Sequence, residues 1–201
     1  HLIQTHAHEL LGHEEVQQLL NGLAKTAPKL IEDLVPRVLP MSTVVRVLQG
    51  LLAERMPVRN MRTIIETLAE HAPRSQDPAQ LQAHVRVALG RQIVQDLAGL
   101  KDELPVITLE NDLEQLLQSS LGTAGSGPGL EPGLAERLQQ RLADTAKRQE
   151  MLGEPAVLLV PPMLRQTLAR FVRAGVPGLQ VLAWNEMPDN RRVRLVSAVG
   201  R

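Results

Sequence analysis

The densest cluster of groups able to bind a metal is near the start of the chain, where His6, His8, Glu9, His13, Glu14 and Glu15 follow closely on one another. A zinc-protease helix needs H-E-x-x-H, which sets two imidazoles one turn apart on one face. Here the string is H-E-L-L-G-H, so His8 and His13 are five residues apart and diverge on a continuous helix, as do His6 and His8. The reading is polar side chains on a solvated face, with no metal. Nucleophilic chemistry fares no better. The chain has no cysteine and no tyrosine, and Ser42, Ser75, Ser119, Ser120, Ser126 and Ser197 fall at expected caps, turns, helix ends or a terminal strand. No G-x-S-x-G elbow is present. The glycine-rich stretch 122–133, GTAGSGPGLEPG, is not followed by G-K-[ST] and is not entered from a strand, so it reads as a surface loop and not as a phosphate cradle. No catalytic residue, cofactor or metal ligand is assigned, and the expectation is a binding or assembly module rather than an enzyme.

What the sequence does supply is arginine. Arg46, Arg55, Arg59, Arg62, Arg86 and Arg91 fall on or beside three helices read in residues 42–95, answered by Glu54, Glu66 and Glu70. Arg62 and Glu66 are one helical turn apart and can pair. The six arginines form the candidate protein-interaction surface, because Arg is enriched at interfaces. The plainer alternative is a solvated, internally paired face, in which each exposed pair contributes only about 0.3–0.5 kcal/mol.

The helices that carry them follow from spacing. Val44, Val45, Leu48, Leu51 and Leu52 recur at three- and four-residue steps and predict a helix from about Ser42 to Arg55, stopped by Pro57. Asn60 caps a second, with Met61, Ile64, Ile65, Leu68 and Ala72 inward. Asp77-Pro78-Ala79-Gln80 opens a third, expected to run to about Gln95 with Leu81, Val85, Ala88, Leu89 and Ile93 inward. Upstream, an amphipathic helix or pair of helices broken at Gly12 is expected to stop at Asn21-Gly22, and a proline-spaced connector follows.

Beyond Gly99 the period changes. Residues 104–109 read as a strand, 113–121 and 131–150 as helices, and Ala156–Val160 as a strand buried on both faces. A helix from Pro162 and a strand at Gln180–Trp184 complete a βαβ unit with parallel strands. Pro188-Asp189-Asn190 reads as a turn leading back into an antiparallel edge strand, Val193–Val199, with Val193, Leu195 and Ser197 on one face. The fold class is therefore α+β: an all-helical domain followed by a small α/β domain with a short mixed sheet. The expected divisions are 1–16, the helical end of a preceding subdomain; 17–98, all-helical; and 99–201, α/β.

Lys+Arg 22 against Asp+Glu 22 gives no formal net charge, hence no global drive towards nucleic acid or an anionic membrane. With Phe171 and Trp184 as the only large aromatics, stacking platforms for bases are scarce. A helix-turn-helix reading of the two helices joined by ERMPVRN meets Glu66 and Glu70 on the would-be recognition helix, where phosphates would be repelled. The chain opens on His1 within a helical pattern and reads as a fragment of a longer protein.

The run LLAERMPVRNMRTIIETLAEHAP, followed by HVRVALGRQI, resembles the type III secretion export-gate family (FHIPEP family). The likeness extends through HAHELLGHEEVQQLL, PKLIEDLVP, EPGLAERL and VLAWNEMPDNRRVRLV. It favours the flagellar branch over the virulence-injectisome branch through PAVLLV and EMPDNRRVR. The resemblance implies the cytoplasmic part of a bacterial inner-membrane protein, the membrane-embedded half lying upstream. It further implies a ring of nine subunits that docks flagellar export chaperone-substrate complexes and the stalk of the export ATPase. The family's chaperone groove lies mostly upstream of His1, so no chaperone-contact residue is transferred onto this sequence.

Overall fold

A computed structural model describes residues 11–121 and 131–200; His6, His8 and most of the glycine-rich stretch lie outside the described residues. The chain divides into two compact units, His1–Ile93 and Val94–Arg201.

The first unit is helical. Helix α1 (His13–Ala24) starts after Gly12, whose N–H donates to the Glu15 carboxylate at 3.0 Å. The helix does not stop at Asn21-Gly22. A glycine inside a helix costs about 1 kcal/mol relative to alanine, and burial of Val16 and Leu20 on this helix offsets it. Helix α2 (Pro28–Leu34) has proline in its first turn. Helix α3 (Met41–Ala53) buries Val44, Val45, Val47, Leu48 and Leu51, so Val47 joins the expected stripe while Leu52 is only half-buried. Helix α4 (Met61–His71) is capped by Asn60, whose side chain accepts from the Thr63 N–H at 3.5 Å, and its expected stripe is buried throughout.

Helix α5 (Pro78–Ala88) is capped by Asp77, which accepts from the Gln80 N–H at 3.4 Å. The single third helix of the sequence reading is two. Leu89 leaves helical geometry at φ −95°, ψ 8°, and α6 (Gly90–Ala98) begins at a glycine. The break turns Ala88, expected inward, to the surface, while Leu89 and Ile93 stay buried. The rings of His71 and His84 stack 3.7 Å apart at 7°, tying the end of α4 to α5. Desolvation, then the His71 ring, lower the His84 pKa below its ordinary value.

The second unit is built on a parallel sheet. In chain order come β1 (Glu103–Leu109), α7 (Asn111–Leu121), α8 (Pro132–Met151), β2 (Val157–Val160), α9 (Pro162–Gly175), β3 (Gln180–Ala183), a 3-10 turn (Trp184–Glu186) and β4 (Arg192–Val199). The strand order is β3-β2-β1-β4. The α+β class and the βαβ unit β2-α9-β3 are as read from the sequence, and α9 returns the chain so that Val160 lies beside Ala183.

The direction of β4 differs. It runs parallel to β1, pairing Glu103 with Arg192 and Leu109 with Val199, so the sheet is parallel and not mixed. Periodicity reveals that a strand exists but not its partner; β4 docks on β1, with two strands between it and β3, not back upon β3. A bulge makes Val196 the extra residue between the pairs Val106–Leu195 and Ile107–Ser197. Ser197 therefore shares a face with Ile107, opposite Val193 and Leu195.

One face of the sheet, with Ile107, Leu109, Leu158, Val160 and Val181, packs against Leu113 and Leu117 of α7, Leu138 and Leu142 of α8, and Leu164, Leu168 and Val172 of α9. Leu104, Val106, Val157 and Leu182 point to the other face and are buried as well. Continuous apolar strands are the expected consequence of two covered faces.

Glu114 on α7 is buried, and no described side chain pairs with its carboxylate. Burial raises its pKa. A carboxyl whose pKa is raised on folding subtracts stability once pH rises above its unfolded value of 4.5 and passes the folded one. Glu114→Gln is expected to stabilise the chain at neutral pH, where the carboxylate would be charged and desolvated. The gain should shrink to nothing below pH 4.5. Urea titrations at both pH values check this; a variant no more stable than the parent at neutral pH would contradict it.

Candidate protein-interaction surface

The joint between α3 and α4, Glu54–Asn60, organises the helical unit's surface. Arg55 adopts φ +63°, a left-handed conformation that ends α3, and the Met56 N–H returns to the Leu51 carbonyl at 2.9 Å. This turns Met56 into the core and directs the Glu54 carboxylate across to α5.

The six arginines separate into three kinds. Arg86 is buried, 3% exposed, and does not belong to the outward face on which the sequence reading put it. Its Nη1 donates to Glu54 Oε2 at 3.1 Å and lies 3.1 Å from the Met56 sulfur, while Gln82 Nε2 donates to the same Glu54 oxygen at 3.1 Å. Arg59 and Arg62 are exposed and engaged: the Gln92 side-chain carbonyl accepts from Arg59 Nε and Nη2 at 2.9 and 3.1 Å, and Arg62 Nε donates to Glu66 Oε1 at 2.8 Å. Arg46, Arg55 and Arg91 are exposed and without an ion-pair partner among the described residues. The Glu54–Arg86 and Arg59–Gln92 bonds bring Arg55, Arg59 and Arg91 to one corner, with Arg62 in the first turn of α4; Arg46 lies apart on α3.

In the α/β unit the sequence reading passed over a second exposed feature. Val160 and Ala183 are register partners at the C-terminal ends of β2 and β3, and just beyond them Met163 and Trp184 are 64% and 52% exposed. Beneath them lies a buried ion pair, Arg165 Nε to Glu186 Oε2 at 3.8 Å. Glu186 Oε1 also accepts from the Ala183 N–H at 2.9 Å, and Arg165 Nη1 donates to the Val181 carbonyl at 3.4 Å. The turn that presents Trp184 is thus held from below. Nothing within a few residues of Arg165 or Glu186 signals this pair in the sequence.

Among the described residues no group of three or more His, Asp or Glu side chains could hold a metal, and no helix is long and apolar enough to cross a membrane. The helical unit thus carries an arginine corner, and the α/β unit carries exposed apolar and cationic side chains.

Comparison with known proteins places the chain in a family. The FHIPEP family matches residues 1–192. The chain is 52% identical to the flagellar biosynthesis protein FlhA of Escherichia coli (strain K12) and 50% identical to that of Salmonella typhimurium, each over 200 residues. Those alignments cover 100% of this chain and 28% of the relatives, so the chain spans little more than a quarter of their length. Among solved structures it is similar to nonameric SctV-C of EPEC at TM-score 0.87 and 25% identity, over 98% of this chain and 60% of that one. It also resembles the Shigella flexneri MxiA protein at TM-score 0.84 and 25% identity, over 94% and 59%. This chain belongs to the FHIPEP family.

Proposed function

We propose that the chain is a cytoplasmic part of the flagellar type III protein export gate and that it assembles into a ring. In this reading the ring docks export chaperone-substrate complexes and the stalk of the export ATPase, and the chain is carried by an inner-membrane protein. The observation that supports it most is 52% identity, along its whole length, to a flagellar biosynthesis protein. The likeness to a nonameric export-gate structure supports the ring.

The residues we assign to subunit contacts are the exposed arginines of the corner, Arg55, Arg59, Arg62 and Arg91. Arg55 and Arg91 have no partner to lose among the described residues, so Arg55→Ala with Arg91→Ala should change stability by less than about 0.5 kcal/mol. Removing interface anchors typically costs 2 kcal/mol or more of association, roughly a thirtyfold loss. In the full-length protein we expect an unchanged thermal midpoint, weakened ring assembly and reduced motility. The companion pair Arg59→Ala and Arg62→Ala should weaken assembly too, with a stability cost of about 1 kcal/mol for the lost Gln92 and Glu66 bonds. Normal assembly and motility in both variants would refute the assignment.

A further inference from the structure

At the N-terminal ends of β1 and β4 a groove of about 450 Å³ opens, lined by Lys101, Asp102, Asn190, Arg191 and Arg192 with the α6 end. Three cations thus face one carboxylate. Lys101 and Arg192 are exposed and have no partner among the described residues. The Arg191 guanidinium donates to the Lys101 carbonyl, which fixes it at the groove without neutralising it. The nearby carboxylates Glu103 and Glu154 are already engaged, both by Arg194, at 3.4 and 2.8 Å.

The groove leads directly onto the open edge of the sheet. Residues 192–195 of β4 are all exposed. Val193 and Leu195 lie beside the buried Leu104 and Val106 of β1 in the strand register, so the apolar row of the sheet interior continues to the edge and ends in side chains 48% and 61% exposed. An edge strand with free backbone groups and an apolar row is a template for one more strand. The bulge at Val196 limits that template to the stretch next to the cations.

We propose that β4 receives an extended acidic segment of a partner protein, added as a strand, with its carboxylates at Lys101, Arg191 and Arg192 and alternate apolar side chains on Val193 and Leu195. The occupant is fixed by complementarity: the cations select acidic side chains, the apolar pair selects alternation, and the edge requires free peptide N–H groups. A helix satisfies its own N–H groups and fits none of the edge.

The test uses the 201-residue chain and a fluorescent peptide of about six alternating glutamate and valine residues, near the usual strand length. Anisotropy at low salt reads affinity and hydrogen exchange reads the β4 amides. The expected result is saturable binding with slower exchange at β4. Lys101→Glu with Arg192→Glu should weaken it at least about tenfold, as charge reversal across a contact does. A proline-interrupted glutamate-valine peptide should lose binding, and the lysine-valine peptide should not bind. The proposal is overturned if the proline-interrupted peptide binds as well as its parent, or if β4 amides gain no protection at saturation. It is equally overturned if duplex DNA competes while β4 exchange is unchanged, which would make the patch a general polyanion surface. None of these readouts depends on ring assembly.

Discussion

Glu54→Ala is expected to destabilise the helical unit by about 3 kcal/mol, the usual cost of removing one partner from a buried ion pair. The Arg86 guanidinium is almost fully buried, and Glu54 gives it a carboxylate oxygen at 3.1 Å. The same oxygen holds the Gln82 amide, which in turn lies over Gly50, where an added Cβ would clash with Gln82 Oε1. Losing the carboxylate leaves a desolvated cation and a displaced amide together. Both Glu54 and Arg86 have further interactions, which moderate the loss. Exchanging the pair for apolar groups of similar size, Glu54→Leu with Arg86→Met, should stay within about 1 kcal/mol of the parent, because no charge is left buried. Urea unfolding followed by far-ultraviolet circular dichroism measures both. A single mutant as stable as the parent would show that Arg86 reaches water or another acceptor, and the assigned role would be wrong.

In the α/β unit the corresponding experiment is Glu186→Ala, also expected to cost about 3 kcal/mol. Glu186 performs two tasks: one oxygen accepts the Ala183 N–H at the end of β3, the other faces Arg165 at 3.8 Å. Glu186→Gln keeps an acceptor for the amide and removes the charge, so its cost should be smaller and the difference reports the electrostatic part. Trp184 is the only tryptophan in the sequence and lies in the turn itself, so its fluorescence follows this region directly. Coincident unfolding of alanine variant and parent by fluorescence would mean that the turn is held by packing and not by Glu186.

The parts of the fold that were legible in the sequence are those set by local rules. The caps at Asn60 and Asp77, the stripe of α4 and the doubly buried β2 follow from residue types a few positions apart, and the structure has each of them. What escaped is non-local. Arg86 sits one turn beyond Gln82 beside the apolar Leu81 and Val85, and the carboxylate that receives it in the interior lies 32 residues upstream in sequence. A charged residue is assigned to solvent by default, since few are buried unless paired. The direction of β4 escaped for the same reason: its alternation is visible, its partner is not. The break at Leu89 shows the limit of proline- and cap-based boundaries, since only Gly90 marks it. Of the arginine surface, the Arg62–Glu66 pair was legible from its one-turn spacing, whereas the burial of Arg86 and the Arg59–Gln92 bond were not.

The strand order also sets a timetable for synthesis. The strand made first in the α/β unit, β1, ends up between β2 and β4, and its pairing runs from Glu103 all the way to Arg192. At about 10 residues per second on the ribosome, β1 waits several seconds for its last neighbour. During that time Leu104 and Val106 have no second strand on that side, and an apolar strand with an open edge attracts other nascent chains. The helical unit, which precedes the sheet and contains no strand, is under no such delay and can fold while the sheet is still being translated. A stop codon between β2 and β4 would therefore release a chain whose first half is finished and whose sheet is left open along β1, a species for quality control to remove.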